Sequence, residues 1–169
     1  HTFGISMDGI KQALETFGGV KRRFDYQIRF PQITFIDDYA HHPEELKATI
    51  LSVRELYPGT KVLGVFQPHL FSRTRDFADG FGASLSLLDE LILLDIYPAR
   101  ELPIPGITSE MIARKVTIGN KQVCSKESAL NMVLQSDAPV VLTLGAGDID
   151  ELVPVIKQAL ENKYLKKTA

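Results

Sequence analysis

Four stretches of this chain, "ITFID", "KVLGVFQ", "ELILLDI" and "PVVLTL", are apolar almost without interruption, and each is followed by a segment with helical periodicity. A strand that alternates apolar and polar residues buries one face. A strand that does not alternate is buried on both, and this requires helices on either side of a sheet of mainly parallel strands. The intervening segments supply those helices. "PEELKATILSVRELY" has Pro43 early and Leu46, Ile50, Val53 and Leu56 on one face. Further helices are predicted over 72–88, 109–116, 128–134 and 148–163, with "KQVCS" as a weaker strand between the second and third of them. The pattern predicts a Rossmann-like, doubly wound α/β fold whose ligand lies beyond the carboxyl ends of the strands.

The start of the chain departs from that rhythm. "SMDGIKQALETFGG" reads as a helix with Ser6 as N-cap, Ile10, Ala13, Leu14 and Phe17 on one face, and Gly18-Gly19 as its stop. "RRFDYQIRF" alternates Phe24, Tyr26, Ile28 and Phe30 with polar residues, and Pro31-Gln32 turns it back. A small antiparallel excursion ahead of the parallel sheet is therefore expected. The first residue is His1 rather than Met, so a piece of something longer is expected.

The bulk numbers exclude several classes. With 169 residues, 44% hydrophobic and 24% charged, the chain suits one domain with a real core. A net charge of −2 argues against a broad nucleic-acid or membrane surface. The single cysteine, Cys124, rules out an internal disulfide and fits a reducing compartment; it reads as an inert strand residue. No apolar run reaches the roughly 20 residues that span a bilayer.

Polar residues gather at the strand ends. "ITFID" runs into Asp37-Asp38-Tyr39-Ala40-His41-His42, and "KVLGVFQ" into Pro68-His69-Leu70-Phe71-Ser72-Arg73-Thr74-Arg75. "ELILLDI" leads to Tyr97-Pro98-Ala99-Arg100-Glu101, and "PVVLTL" to Gly145-Ala146-Gly147-Asp148. In a parallel sheet all four clusters share one edge. Each also has a purely structural reading. Asp37 or Asp38 would cap the helix at Pro43, Asp148 would cap the last helix, and Arg100 and Glu101 would form a surface pair. Adjacent histidines point in different directions, so His41 and His42 make a poor metal site, and no metal is expected. Arg73 and Arg75 near a helix N-terminus oppose its dipole, which suggests an anion between them. The glycines of "GAGD" would let a backbone N–H approach a phosphate or carboxylate, or simply make a tight turn. No G-x-x-x-x-G-K-[ST] occurs, so a phosphate cradle of that kind is not in this chain.

"GVKRRF", "DDYAHHPEEL", "FQPHLFSRTRDF", "YPARELPIPGITS" and "LTLGAGDI", in that order and spacing, resemble the C-terminal domain of the Mur ligase family of peptidoglycan synthesis, in its alanine-adding branch. The resemblance runs from Gly19 onward. It implies that 19–169 is the C-terminal, amino-acid-binding domain and that 1–18 is the tail of a central ATPase domain. It implies a cytoplasmic, ATP-dependent ligase. ATP would phosphorylate the carboxylate of UDP-N-acetylmuramate, and L-alanine would attack the acyl phosphate. ATP and Mg2+ would be held mainly by the central domain, and the fragment alone would be inactive.

Under the resemblance, Asp38 would bond the ATP ribose and Arg23 would approach the nucleotide. Tyr39, His41, His69 and Arg73 would face the alanine and the acyl phosphate, with His41 as the candidate base. Gly145, Ala146 and Gly147 would offer backbone N–H groups to the amino acid. Some family members carry arginine where this chain has Leu70, which leaves more of the anion contact to Arg73 or Arg75. The recycling branch, which attaches a whole murein peptide, is the nearest alternative. A free-standing nucleotide- or carboxylate-binding module is another. A metal-dependent hydrolase using Asp37, Asp38, His41, His42 and His69 is a third.

Overall fold

Along every central strand, successive side chains enter different cores. A computed structural model describes residues 4–165; the first three and last four residues of the two expected domains lie outside that range. The elements in order are α1 (Met7–Thr16), β1 (Asp25–Phe30), β2 (Ile33–Asp38), α2 (Pro43–Leu56), β3 (Val62–Phe66), α3 (Phe71–Asp76), α4 (Ala78–Leu85) and β4 (Glu90–Leu94). They continue with α5 (Ser109–Ala113), β5 (Asn120–Cys124), α6 (Lys126–Gln135), β6 (Val140–Leu144), a 3-10 turn (Asp148–Glu151) and α7 (Leu152–Leu165).

The six strands lie in the order β1-β2-β6-β3-β4-β5. β1 pairs antiparallel with β2, and every other pairing is parallel. Ile36, Phe66, Leu91, Leu93 and Leu142 pack with Leu46, Ile50 and Val53 of α2, Phe81 and Leu85 of α4, and Ile112 of α5. Their strand neighbours Phe35, Leu63, Val65, Ile92 and Val141 pack with Ala129 and Val133 of α6 and Val153, Ile156 and Leu160 of α7. Two cores, one on each face, account for the unbroken apolar runs. At the edge, β1 is half-exposed with Ile28 as its buried residue, but it does not keep the expected alternation: a bulge between Tyr26 and Ile28 leaves Phe24 and Tyr26 against one core and Ile28 and Phe30 in the other. Cys124 ends β5, half-buried.

Several boundaries differ from the sequence reading. The helix expected over 72–88 is two helices that meet at Phe77. α5 stops at Ala113 rather than 116, and α6 begins at Lys126. The last helix opens with a 3-10 turn. Neither Asp37 nor Asp38 caps α2, because both are still strand residues. His42 is the cap: its ring accepts from the Glu44 N–H at 3.4 Å, while Glu45 accepts from the His42 N–H at 3.1 Å, a reciprocal capping box. Leu56 closes α2 on the solvent side, 57% exposed.

α1 is capped by Ser6, which accepts from the Gly9 N–H, and ends at Thr16 as the glycines predict. It buries nothing. Met7, Ile10, Leu14 and Phe17 are all exposed, Leu14 at 68%. An amphipathic helix with an open apolar face lacks the packing that holds most helices in place.

Candidate active site

The carboxyl ends of β2, β6, β3 and β4 bring the four polar clusters to one edge, as the parallel topology requires. β6 lies between β2 and β3, so the "GAGD" turn sits at the centre of that edge. Gly145 has φ of 141°, a conformation left to glycine, and a Cβ there would meet the Gln67 carbonyl at 2.8 Å. A Cβ on Gly147 would meet the Gln67 amide oxygen at 2.5 Å and the Tyr97 side chain at 2.7 Å. The turn therefore depends on both glycines. The Gly145 N–H is spent on the Asp38 carbonyl at 3.2 Å. No described residue accepts from the N–H groups of Ala146 and Gly147, and these two remain for a ligand.

Asp148 anchors the far side of the turn. It accepts from the Gln67 amide at 2.7 Å and from Lys126, while the Gln67 oxygen takes the Ile149 N–H at 2.9 Å. Burial works against its charge, but Lys126 and Gln67 prevail and hold the carboxyl below its ordinary range. A cavity of about 200 Å³ opens beside it, lined by Gln67, Tyr97, Lys126 and Asp148 among others. A larger one, about 340 Å³, borders Lys61 and Glu90 at the opposite end of the strands and touches none of these groups.

The two acids at the end of β2 have different tasks. Asp37 is buried, accepting from the Thr143 hydroxyl at 2.7 Å and from Arg22 at 3.2 Å. Burial pushes its carboxyl up, against the pull of both partners. Asp38 accepts from the Phe24 N–H at 2.7 Å and the Ala40 N–H at 2.8 Å. Each oxygen keeps a second lone pair for a ligand hydroxyl.

The histidines form a short row. Tyr39 meets His41 edge-on with ring centroids 5.2 Å apart, His41 lies 6.2 Å from His69, and His69 stacks on Tyr97 at 5.7 Å. Their hydrogen bonds assign the tautomers. His41 Nδ1 is 3.0 Å from the Tyr39 carbonyl, which can only accept, so Nδ1 carries a proton and, in the neutral ring, Nε2 holds the lone pair. Arg73 donates to His69 Nδ1 at 3.4 Å, so His69 presents an Nε2–H. Burial, then Arg73 and His41, lower the His69 pKa and favour this neutral form. The rest of the Arg73 guanidinium has no described partner.

Two sequence expectations about this loop are corrected. Arg73 and Arg75 lie in the last turn of a six-residue helix, so the dipole argument does not apply, and Arg75 pairs with its neighbour Asp76 at 2.7 Å. Arg100 and Glu101 do not form a surface pair. Glu101 instead accepts from the Ser72 N–H at 2.9 Å and from the Ser72 hydroxyl at the start of α3. Leu70 enters that helix with φ of 73°, and Ala99 and Arg22 also lie in the left-handed region. Strained non-glycine residues of this kind collect where a site over-determines its backbone.

Arg23 is exposed, beside the β2 end; its N–H donates to the Val20 carbonyl at 3.0 Å, and its guanidinium has no hydrogen-bond partner among the described residues. Its neighbour Arg22 is the residue that reaches in, and sequence reading passed over it. A buried acid such as Asp37 requires a cation, but nothing in the pattern says which of two adjacent arginines supplies it. Gln67 and Lys126 were likewise missed. Among the described residues, no three His, Cys, Asp or Glu side chains converge to hold a metal ion. The described residues of this edge form no cluster of oxygen ligands of the kind Mg2+ takes.

Fold and edge together define a doubly wound α/β domain whose central strand ends carry unbonded N–H groups, a guanidinium and two imidazoles, groups that can hold an anion and exchange a proton. The chain belongs to the Mur ligase family: the profile described as "Mur ligase, glutamate ligase domain" matches residues 22–147. It is 57% identical over 159 residues to the UDP-N-acetylmuramate–L-alanine ligase of Flavobacterium johnsoniae, covering 94% of this chain and 35% of that protein. The chain thus spans about a third of the length of the curated relatives it matches. Among solved structures, the UDP-N-acetylmuramate–alanine ligase of Thermotoga maritima superposes with a TM-score of 0.73 at 26% identity, over 98% of this chain and 35% of that one. A murein peptide ligase from Psychrobacter arcticus shares the fold, with a TM-score of 0.68 at 21% identity over 95% and 34%.

Proposed function

We propose that this chain is the C-terminal, amino-acid-presenting domain of an ATP-dependent cytoplasmic ligase that joins L-alanine to UDP-N-acetylmuramate. The observation that supports the reading is the placement of His41, the unbonded N–H groups of Ala146 and Gly147, and His69 with Arg73 after the carboxyl ends of three adjacent strands, β2, β6 and β3. The 57% identity to an alanine-adding relative supports alanine as the amino acid.

The residues divide the work as follows. ATP transfers its γ-phosphoryl group to the muramate carboxylate, releasing ADP. The Arg73 guanidinium and the His69 Nε2–H hold the alanine carboxylate by charge-assisted bonds. The alanine amine attacks the acyl carbon, and His41 Nε2 takes the proton the nitrogen loses. The tetrahedral intermediate then expels phosphate and leaves the amide. The N–H groups of Ala146 and Gly147 approach the charge borne by the amino acid or the intermediate. Tyr39 closes the row of rings. Asp38 and the exposed Arg23 face the nucleotide side, Asp38 through its spare lone pairs to a ribose hydroxyl. Mg2+ and the phosphate cradle belong to the preceding domain, and no step is routed through the metal here.

Residues 1–18 belong with that preceding domain, and 19–169 form the unit described above. The open apolar face of α1 supports this division, because it has no counterpart surface among the described residues. No described helix is long and apolar enough to cross a membrane.

The test is phosphate release by the full-length enzyme given ATP, UDP-N-acetylmuramate and either L-alanine or a murein tripeptide. Release with alanine is expected, and none from the 169-residue chain alone. Preference for the tripeptide would move the protein to the recycling branch, and turnover by the isolated chain would refute the division of labour.

A further inference from the structure

Arg22 has no place in the chemistry above, yet it makes more directed contacts than any other side chain at this edge. Its side chain is only 15% exposed. Nε donates to Asp37 at 3.2 Å, one terminal nitrogen donates to the Gly145 carbonyl at 2.6 Å, and the other lies 3.7 Å from Asp150. The guanidinium carbon stands 5.0 Å from the centre of the Tyr39 ring. Its backbone is held as firmly. The Arg22 N–H donates to Asp25 at 3.2 Å, and its carbonyl accepts from the Tyr39 N–H at 2.8 Å. With φ of 60° at Arg22, 47° at Phe24 and 85° at Gly19, the segment makes three left-handed turns to bring this side chain inward.

The Gly145 contact has a consequence for the next residue. The Gly145 carbonyl and the Ala146 N–H belong to one planar peptide unit and point in opposite directions. A donor that fixes the carbonyl therefore fixes the N–H. Gly145, with no side chain and φ of 141°, supplies little restraint of its own on that plane. Arg22 does, and its planar fork reaches Asp37 and Gly145 at once, as a lysine ammonium does not. Asp37 is in turn held by the Thr143 hydroxyl at 2.7 Å, so the fork rests on a buried base in β2 and β6.

We propose that Arg22 is a positioning residue of the ligation reaction: by gripping the Gly145 carbonyl it aims the Ala146 N–H at the amino-acid site, and by lying against Tyr39 it fixes that ring beside His41. It touches no reacting atom. This rests on reading the sheet edge as the amino-acid site. It also makes the segment that joins α1 to β1 part of the site, so the orientation of the donors is set from the domain junction.

The test uses the full-length enzyme with Arg22→Gln, Arg22→Lys, and Arg22→Gln combined with Asp37→Asn. Arg22→Gln is expected to raise the alanine KM about tenfold, as misplacement of a binding group does, while the KM values for ATP and UDP-N-acetylmuramate stay within about twofold. Arg22→Lys keeps a cation beside Asp37 and should recover thermal stability with only part of the alanine affinity. The double variant no longer buries an unpaired acid, so its melting temperature should rise relative to Arg22→Gln while its alanine KM stays high. Recovery of the alanine KM in the double variant, or an unchanged KM in Arg22→Gln, would overturn the proposal and leave Arg22 a structural partner of Asp37. Amide exchange in the same proteins separates this from the substrate assignment. The bonded amides of the turn, Gly145 and Ile149, should exchange faster in Arg22→Gln whatever the amino acid proves to be, and unchanged exchange there overturns the positioning role. Failure of the unmodified enzyme to use alanine would instead overturn only the substrate reading.

Discussion

His41 and His69 stand with ring centroids 6.2 Å apart, and their neighbours put opposite properties of the imidazole to work. The Tyr39 carbonyl takes the proton-bearing Nδ1 of His41, and Arg73 occupies the bare Nδ1 of His69. One ring is left as an acceptor and the other as a donor, the pairing that the proposed amino-acid substrate, with its amine and carboxylate, would use. Replacing His41 with asparagine keeps an N–H for the Tyr39 carbonyl and removes the lone pair. In the full-length enzyme this should lower kcat by about 10²- to 10⁴-fold with the alanine KM little changed, measured by steady-state phosphate release. An unchanged kcat would reduce His41 to a binding role. That the histidines, Tyr39 and Arg73 share one sheet edge was legible from the chain, because polar residues that follow strands of a parallel sheet gather at the strands' carboxyl ends; the roles proposed for them came from the family resemblance. Arg22, Gln67 and Lys126 were not, because their importance comes from partners in distant elements: Gly145 for Arg22, and Asp148 for both Gln67 and Lys126.

α2 shows how an element can prepare a site. Glu45, in its first turn, accepts from the N–H groups of His41 and His42 at 2.9 and 3.1 Å, and lies 3.3 Å from His41 Nδ1. The contacts that cap the helix also pin the candidate base. Glu45→Ala should cost about 1 kcal/mol in thermal unfolding, the usual effect of losing a cap, and should also lower turnover. A variant with the stability loss but full turnover would separate the helix from the site. Helix existence was readable from the 3.6-residue period, but termini were not. A sequence search for caps favours Asp over His, yet Asp37 and Asp38 are drawn into β2 by its pairing with β6, and His42 inherits the cap. The break at Phe77 went unseen for a related reason, since the apolar period continues through it.

The described molecule is an open sheet covered on both faces by helices, with one helix, α1, left unpacked. Leu14 on α1 is 68% exposed, and an aspartate there should change the stability of this chain by no more than about 0.5 kcal/mol. In the full-length protein, where the face is expected to pack on the preceding domain, the same Leu14→Asp substitution should destabilise by roughly 1.5–3 kcal/mol, the value of a buried leucine. Equal effects in both would detach α1 from that role. The doubly wound architecture was legible because two-sided burial writes itself into composition along each strand. The domain division rests on something weaker, an apolar stripe with nothing opposite it.

The central claim is that this edge, and not another part of the ligase, receives the amino acid. Arg73→Ala in the full-length enzyme tests it most directly, with KM determined separately for each substrate. Loss of a charge-assisted carboxylate contact predicts an alanine KM raised roughly 10- to 100-fold, with the KM values for ATP and UDP-N-acetylmuramate essentially unchanged. An alanine KM equal to that of the unmodified enzyme, or an equal rise for all three substrates, would contradict it.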